Sequence, residues 1–204
     1  MVANTTGTAN VAMGALALDA NTTANYGTAI GYEALTTNTT GAYNTGVGFY
    51  ALRLNTTGTE NTASGVGALG ANTTGSYNCG YGSGALDANT TASNNVAMGF
   101  NALGTNTTGT RNTAIGTAAL DANTTADNNV ALGYNSATAN TTGATNVSVG
   151  SESFATNTTG ASNVALGYGA LYSNTTASNN TAVGRDALVA VSYTHLTLPT
   201  ILLV

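Results

Sequence analysis

The chain has 204 residues, of which only 5% are charged, and its net charge of −5 comes from eight acidic residues against three arginines. Such a surface has no basic footprint, so nucleic acid and anionic membranes are excluded as electrostatic partners. The sequence contains no apolar run of 18 residues, and we therefore predict no membrane insertion.

A strict internal repeat organises residues 1–190. Asn-Thr-Thr recurs every 17 residues without insertion or deletion. A fixed short period of this kind is typical of a solenoid, in which one unit is stacked many times. Met1, Val2 and Ala3 already fit the last three positions of a preceding repeat, so we interpret the chain as a fragment of a longer array. Below, repeat positions 1–17 are counted from the Asn of each Asn-Thr-Thr.

Repeat positions 7–11 alternate with a period of two, as in Asn112-Thr-Ala-Ile-Gly116. In most copies positions 8 and 10 carry β-branched or aliphatic residues, whereas position 9 carries only Ala, Gly or Ser. This alternation predicts a β-strand over positions 7–11. Position 7 is Asn in ten of eleven copies and Gly27 in the other, which predicts a left-handed turn there. The invariant Gly at position 11 predicts a second corner or a close backbone contact.

A second extended piece is predicted near positions 14–17, where Leu at position 15 follows Ala or Ser. The fold class is therefore all-β: a parallel β-solenoid (β-roll) of eleven 17-residue coils, stacked about 4.8 Å apart. The Leu residues of position 15 should form one continuous core column, with Ala137 and Phe154 as its two departures. The face built from Ala, Gly and Ser at positions 9, 11 and 14 is expected to be buried, most simply between chains of a fibre, or alternatively against a neighbouring layer.

Several pentapeptides carry a family resemblance, among them 112–116, 129–133, 163–167 and 180–184. They resemble the head repeats of trimeric autotransporter adhesins, and related units of phage tail fibres. The resemblance covers residues 1–190 and implies a parallel β-roll, assembly as a trimer or fibre, and adhesion at a surface. The family's usual repeat is shorter than 17 residues, and this chain shows neither its coiled-coil stalk nor its membrane anchor.

Every Asn-Thr-Thr also fits the Asn-x-Thr pattern of N-glycosylation. We expect a glycosylated outer edge that wets an almost uncharged fibre. The alternative is a bare ladder of Asn amides bonded from coil to coil. The candidate acceptors are Asn4, Asn21, Asn38, Asn55, Asn72, Asn89, Asn106, Asn123, Asn140, Asn157 and Asn174, together with Asn146 and Asn179.

The paired threonines of positions 2 and 3 should point to opposite faces if they are extended, so at least one threonine column should be exposed. A flat threonine array could bind ice, which is the alternative function to a structural fibre. The tyrosines of positions 6 and 12 are expected to form outward aromatic patches. These patches could contact carbohydrate, a host surface or neighbouring fibres.

The sequence offers no catalytic constellation. It has no regular carboxylate pair and no nucleophile–base set, and its aspartates do not recur in every copy as a calcium-binding roll requires. We predict a non-enzymatic protein with no metal and no cofactor. Cys79 replaces Val or Thr at position 8 and is expected to be a small buried side chain.

The repeat ends before residues 191–204, a segment that holds His195 and Pro199, the single histidine and proline of the chain. The segment resembles a translated sequencing adapter and is interpreted as a non-native tail, with a short capping strand as the alternative. The whole pattern predicts an extracellular, cell-surface or virion fibre segment, structural or adhesive, that self-associates.

Overall fold

The computed structural model describes residues 2–189 and confirms an all-β parallel β-solenoid with a 17-residue coil. Eleven strands lie in one sheet in chain order. They are β1 (Val11–Met13), β2 (Thr28–Ile30), β3 (Thr45–Val47), β4 (Thr62–Ser64), β5 (Cys79–Tyr81), β6 (Val96–Met98), β7 (Thr113–Ile115), β8 (Val130–Leu132), β9 (Val147–Val149), β10 (Val164–Leu166) and β11 (Thr181–Val183). The predictions for Met1 and for the tail 191–204 lie outside the described residues.

Each strand pairs in parallel with the residues 17 positions later, as in Ala114 with Ala131. The strands cover positions 8–10, so the predicted span of positions 7–11 is two residues too long. The reason lies in the backbone on either side. Position 7 leaves the ladder because its backbone N–H donates to a side-chain amide, as that of Asn112 does to Oδ1 of the Asn one coil earlier. Position 6 before it is left-handed, with φ of 57° at Arg111, and the Gly of position 11 has φ of 132° at Gly116. Extended backbone cannot continue through either position.

The prediction of a left-handed turn at position 7 is wrong, because the left-handed residues occupy positions 6, 13 and 15. Leu103 and Leu120 of position 15 both have φ of 51°. The predicted second extended piece at positions 14–17 is wrong for the same reason, since this segment is a series of turns. A left-handed L-residue costs about 1–2 kcal/mol. Burial of a Leu side chain, worth roughly 1.5–3 kcal/mol, offsets that cost at position 15.

The predicted leucine column is confirmed. Leu35, Leu52, Leu69, Leu86 and Leu103 are fully buried in one cluster that runs along the stack. Ala137 and Phe154 follow each other in this column and are also buried. The apolar interior of most coils is thus one large side chain at position 15, enclosed by small side chains at positions 9 and 14.

Those small side chains correct the prediction about association. Ala114 of position 9 and Ala119 of position 14 are both fully buried, and they belong to the same cluster as the leucines. Positions 9 and 14 therefore line the interior of one chain, and they do not form an interface between chains. Positions 8 and 10 consequently point outward, and the larger side chains of the strand lie on the surface.

The Gly column at position 11 confirms the predicted close backbone contact. A Cβ atom built on Gly31 would lie 2.3 Å from the carbonyl oxygen of Gly48. No side chain can be accommodated there without movement of the backbone. The invariance of this position therefore follows from coil-to-coil packing combined with its positive φ.

Candidate interaction surfaces

The Asn side chains of position 1 form an internal ladder. Asn55 donates from Nδ2 to Oδ1 of Asn38 at 2.8 Å and to the carbonyl oxygen of Gly58 at 3.0 Å. The same pair of bonds recurs at Asn72, whose Nδ2 lies 2.7 Å from Oδ1 of Asn55. Both amide protons are therefore engaged within the stack, and each amide links two coils.

This geometry contradicts the expected outward row of glycosylation acceptors. A glycan on Nδ2 would replace one of the two donated protons and would need space that a buried amide lacks. Among the described residues the buried candidates are Asn21, Asn38, Asn55, Asn72, Asn89, Asn106, Asn123, Asn140, Asn146, Asn157 and Asn174. Only Asn4 and Asn179 of the thirteen are exposed. Occupancy stays a prediction for these two.

Position 7 carries a second Asn ladder, which the sequence interpretation missed. The backbone N–H of Asn112 donates to Oδ1 of Asn95 at 2.9 Å, while Nδ2 of Asn95 donates to the carbonyl oxygen of Gly109 at 2.9 Å. Gly27, the one exception, still donates its backbone N–H to Asn10. The available signal was that Asn is never replaced by Asp here, because the position requires both a donor and an acceptor.

The two threonine columns differ in exposure. Thr56 of position 2 is half-buried, and its hydroxyl donates to the carbonyl oxygen of Thr73 at 3.0 Å. Thr57 of position 3 is exposed, as is every position-3 threonine in the described residues. This confirms the prediction of at least one exposed threonine column. Within the part of the chain that the structure describes, the position-3 hydroxyls make no hydrogen bond to protein.

The outer face of the sheet is a mainly apolar surface, called the apolar stripe here and defined as positions 8 and 10 of all eleven strands. Its polar members are the threonines of position 8 in five strands and Ser64 of position 10. No charged residue occupies either position in any strand. Met98 is 43% and Ile115 is 40% exposed. The stripe is about 50 Å long, from eleven strands at about 4.8 Å, and about 10 Å wide. Large contiguous apolar patches on a protein surface mark interaction sites.

Aromatic side chains flank this stripe, as predicted. Tyr26 and Tyr43 of position 6 stack with ring centroids 4.9 Å apart and an interplanar angle of 12°. Tyr32 and Phe49 of position 12 stack at 5.5 Å. The stacking reflects the coil spacing, since identical positions in adjacent coils place rings one above the other.

Cys79 lies on the apolar stripe and is partly, not fully, buried, so the prediction of a buried side chain is too strong. Partial burial raises the pKa of its thiol, which disfavours the thiolate at neutral pH. Across residues 2–189 no helix is long and apolar enough to span a membrane. The same part of the chain contains no group of three His, Cys, Asp or Glu side chains placed to hold a metal ion.

The architecture defines the class of protein as a parallel β-solenoid repeat protein. No protein-family model, curated protein or solved structure matches the chain.

Proposed function

We propose that the chain is a non-enzymatic structural or adhesive fibre segment that works outside the cell or on a virion, and that it self-associates through its apolar stripe. The observation that carries the proposal is the stripe at positions 8 and 10, which is free of charge over eleven strands and carries an apolar residue at one or both positions in every strand except β4, where Thr62 and Ser64 lie. A regular stack with one such face suits lateral packing of parallel copies.

The occupant of the stripe is a second copy of the same chain. Its dimensions give an area of about 500 Å², and a typical specific interface covers about 800 Å² per partner. The flanking aromatic residues at positions 6 and 12 enlarge the contact area toward the value of a typical interface. Two parallel copies have the same spacing between coils, so each coil of one copy would meet one coil of the other. Every coil would then contribute to the interface in the same way.

The test is the association state of Ile115→Glu in β7, measured by sedimentation equilibrium. A carboxylate in the middle of the stripe must be desolvated in the assembly, so association should weaken at least tenfold. Ala118→Glu is the matched control. It adds the same charge to the same coil at position 13, where Glu33 and Glu152 occur naturally.

Equal association of the parent chain and Ile115→Glu would contradict the proposed interface. A monomeric parent chain would contradict self-association altogether. Circular dichroism of both variants should keep the β spectrum of the parent chain, since position 10 points outward and position 13 already accepts Glu.

Ice binding remains a second candidate function, favoured by one observation. The position-3 threonines form an exposed column whose hydroxyls are not bonded to protein. The test is thermal hysteresis of the parent chain, followed by replacement of Thr91, Thr108 and Thr125 by Lys. The control replaces Asn94, Arg111 and Asn128 of the exposed position 6 by Lys. An ice-binding column would lose hysteresis only in the first variant, and a parent chain without hysteresis would rule this function out.

A further inference from the structure

Coils are numbered from Asn4, so that coil 3 is residues 38–54, coil 4 is 55–71 and coil 5 is 72–88. A groove of about 390 Å³ interrupts the regular surface between coils 3 and 5. Its floor belongs to coil 4 and includes Val66, Gly67 and Gly70. One wall carries Tyr50, Arg53 and Leu54, and the other carries Asp87 and Ala88. The groove is one coil wide because the floor coil lacks side chains at two positions where most other coils have them.

Departures from the repeat converge at this place. Tyr50 is the only aromatic residue at position 13, Arg53 the only basic residue at position 16, and Leu54 the only large apolar residue at position 17. Coil 4 is the only coil with Gly at both position 13 and position 16. In an array that otherwise repeats its chemistry, these side chains create a local surface that no other coil possesses.

The two charged groups of the groove have unused hydrogen-bonding capacity. The Arg53 guanidinium lies 4.5 Å from the centroid of the Tyr50 ring and 4.0 Å from the Glu33 carboxylate, beyond hydrogen-bond distance. Within residues 2–189 no protein hydrogen bond involves the side chain of Arg53 or the carboxylate of Asp87. Partial burial raises the pKa of the Asp87 carboxyl, and the charge of Arg53 partly offsets that effect.

We propose that this groove binds a neutral pyranose unit of a glycan, an inference that rests on the proposed adhesive function and names its ligand. Asp87 would accept hydrogen bonds from two adjacent hydroxyls, and Arg53 would donate to a third hydroxyl or the ring oxygen. Leu54 and Val66 provide apolar contacts for the C–H face of the ring. One cationic and one anionic wall together favour a neutral ligand over a charged sugar.

A single ring in an open groove should bind weakly, with a Kd on the order of 1 mM. An assembled fibre would display one groove per chain, so a polyvalent glycan would bind with a higher apparent affinity than a monosaccharide. Weak monovalent binding is therefore the expected result for the isolated chain.

The test is a titration with the methyl pyranosides of glucose, galactose and mannose, up to about 50 mM, followed by amide chemical shifts. At least one sugar should move the Gly67 and Gly70 signals with saturation. Gly70→Thr should abolish that shift, because its Cβ alone would lie 2.7 Å from Oδ1 of Asp87. Gly104→Thr is the matched control, with the same position and a Cβ 2.6 Å from Oδ1 of Asp121, but outside the groove.

Asp87→Asn should weaken the saturable shift at least fivefold, whereas Asp121→Asn at the equivalent position should not change it. The proposal is overturned if no sugar perturbs these signals, or if the Gly104→Thr control loses binding equally. It is also overturned if free glycine, a zwitterion, saturates the groove while the sugars do not. If the parent chain self-associates but binds no sugar, the glycan-binding proposal is rejected and the fibre proposal is not. If the parent chain binds sugar but stays monomeric, the fibre proposal is rejected instead.

Discussion

At the scale of the residue, the asparagines of positions 1 and 7 stabilise the stack because an amide both donates and accepts. Oδ1 of Asn95 accepts the backbone N–H of Asn112 while its Nδ2 donates to Gly109. Asp lacks the donor, and the longer Gln would place its amide away from both partners. Two such ladders run through an interior with almost no other polar side chains, and they satisfy backbone groups that the short strands leave unpaired.

Replacement of Asn95 by Asp should destabilise the fold by about 3 kcal/mol. The change removes a buried donor from the Gly109 carbonyl and places a carboxylate at a fully buried position. The measurement is the unfolding midpoint in urea.

Asn94→Asp is the matched control, since this neighbouring residue is exposed at position 6 and its left-handed φ of 63° tolerates Asp. Its midpoint should lie close to that of the parent chain. Similar losses in both variants would show that the ladder amide does not contribute the proposed stability.

At the scale of the element, Ala137 and Phe154 form a matched pair in the position-15 column. Every other coil from Leu18 onward places Leu there, but coils 8 and 9 place a very small and a very large side chain next to each other. Ser136, Ser148 and Ser153 surround the pair, and their buried hydroxyls are linked by hydrogen bonds, as at 2.7 Å between Ser136 and Ser148. We expect Phe154 to fill part of the space that the small Ala137 leaves in the neighbouring coil.

A double-mutant cycle tests this coupling. Ala137→Leu should cost about 1–3 kcal/mol through overpacking against Phe154. Phe154→Leu should cost about 1–2 kcal/mol through the cavity that it leaves.

The double variant restores a continuous leucine column. Its loss of unfolding free energy should therefore be smaller, by about 1 kcal/mol or more, than the sum of the losses in the two single variants. Thermal unfolding of the four proteins gives the coupling. Additive costs would show that the two side chains do not compensate each other.

The sequence predicted the parts of the fold that depend on periodicity. The 17-residue spacing, the leucine column at Leu52 or Leu103 and the close approach at Gly31 all followed from it. The sequence did not predict which side of the strand faces the interior, because large apolar side chains normally mark the buried side. Here one Leu already fills the interior of a coil, so that only small side chains of the strand can be buried beside it. Ala114 is buried for that reason, whereas Ile115 is exposed. The left-handed backbone of the position-15 leucines was also not predictable. Leu disfavours this conformation, and burial of its side chain overrides that preference here.

At the scale of the whole molecule, the stack is built from nearest-neighbour contacts. Each inner strand pairs only with the strand before and the strand after it, β1 and β11 pair with one strand each, and all described pairs share one register. Stability is therefore the sum of coil terms and interface terms. The surface ion pairs add little, because Arg111 lies 3.8 Å from Asp127 with both side chains exposed.

Deletion of one complete coil, residues 89–105, should preserve the fold. Ala88 would then precede Asn106, both Asn ladders would keep their register, and the particle would shorten by about 5 Å. Deletion of residues 90–105, one residue fewer, should disrupt the stack because all later positions shift against the earlier ones.

Circular dichroism and small-angle X-ray scattering separate the two variants. The first should keep a cooperative unfolding transition, and the second should lose it or unfold at a much lower temperature. A stable second variant would show that register is not set by the ladders.

The exchangeability of coils has a consequence for how such a gene changes. Unequal recombination between repeats inserts or removes whole coding units, and every product of that event is a continuous stack with intact contacts. Length can therefore vary in steps of about 4.8 Å without any compensating mutation. We expect coils 8 and 9 to be the exception, because loss of either coil would separate Ala137 from Phe154 in the core column.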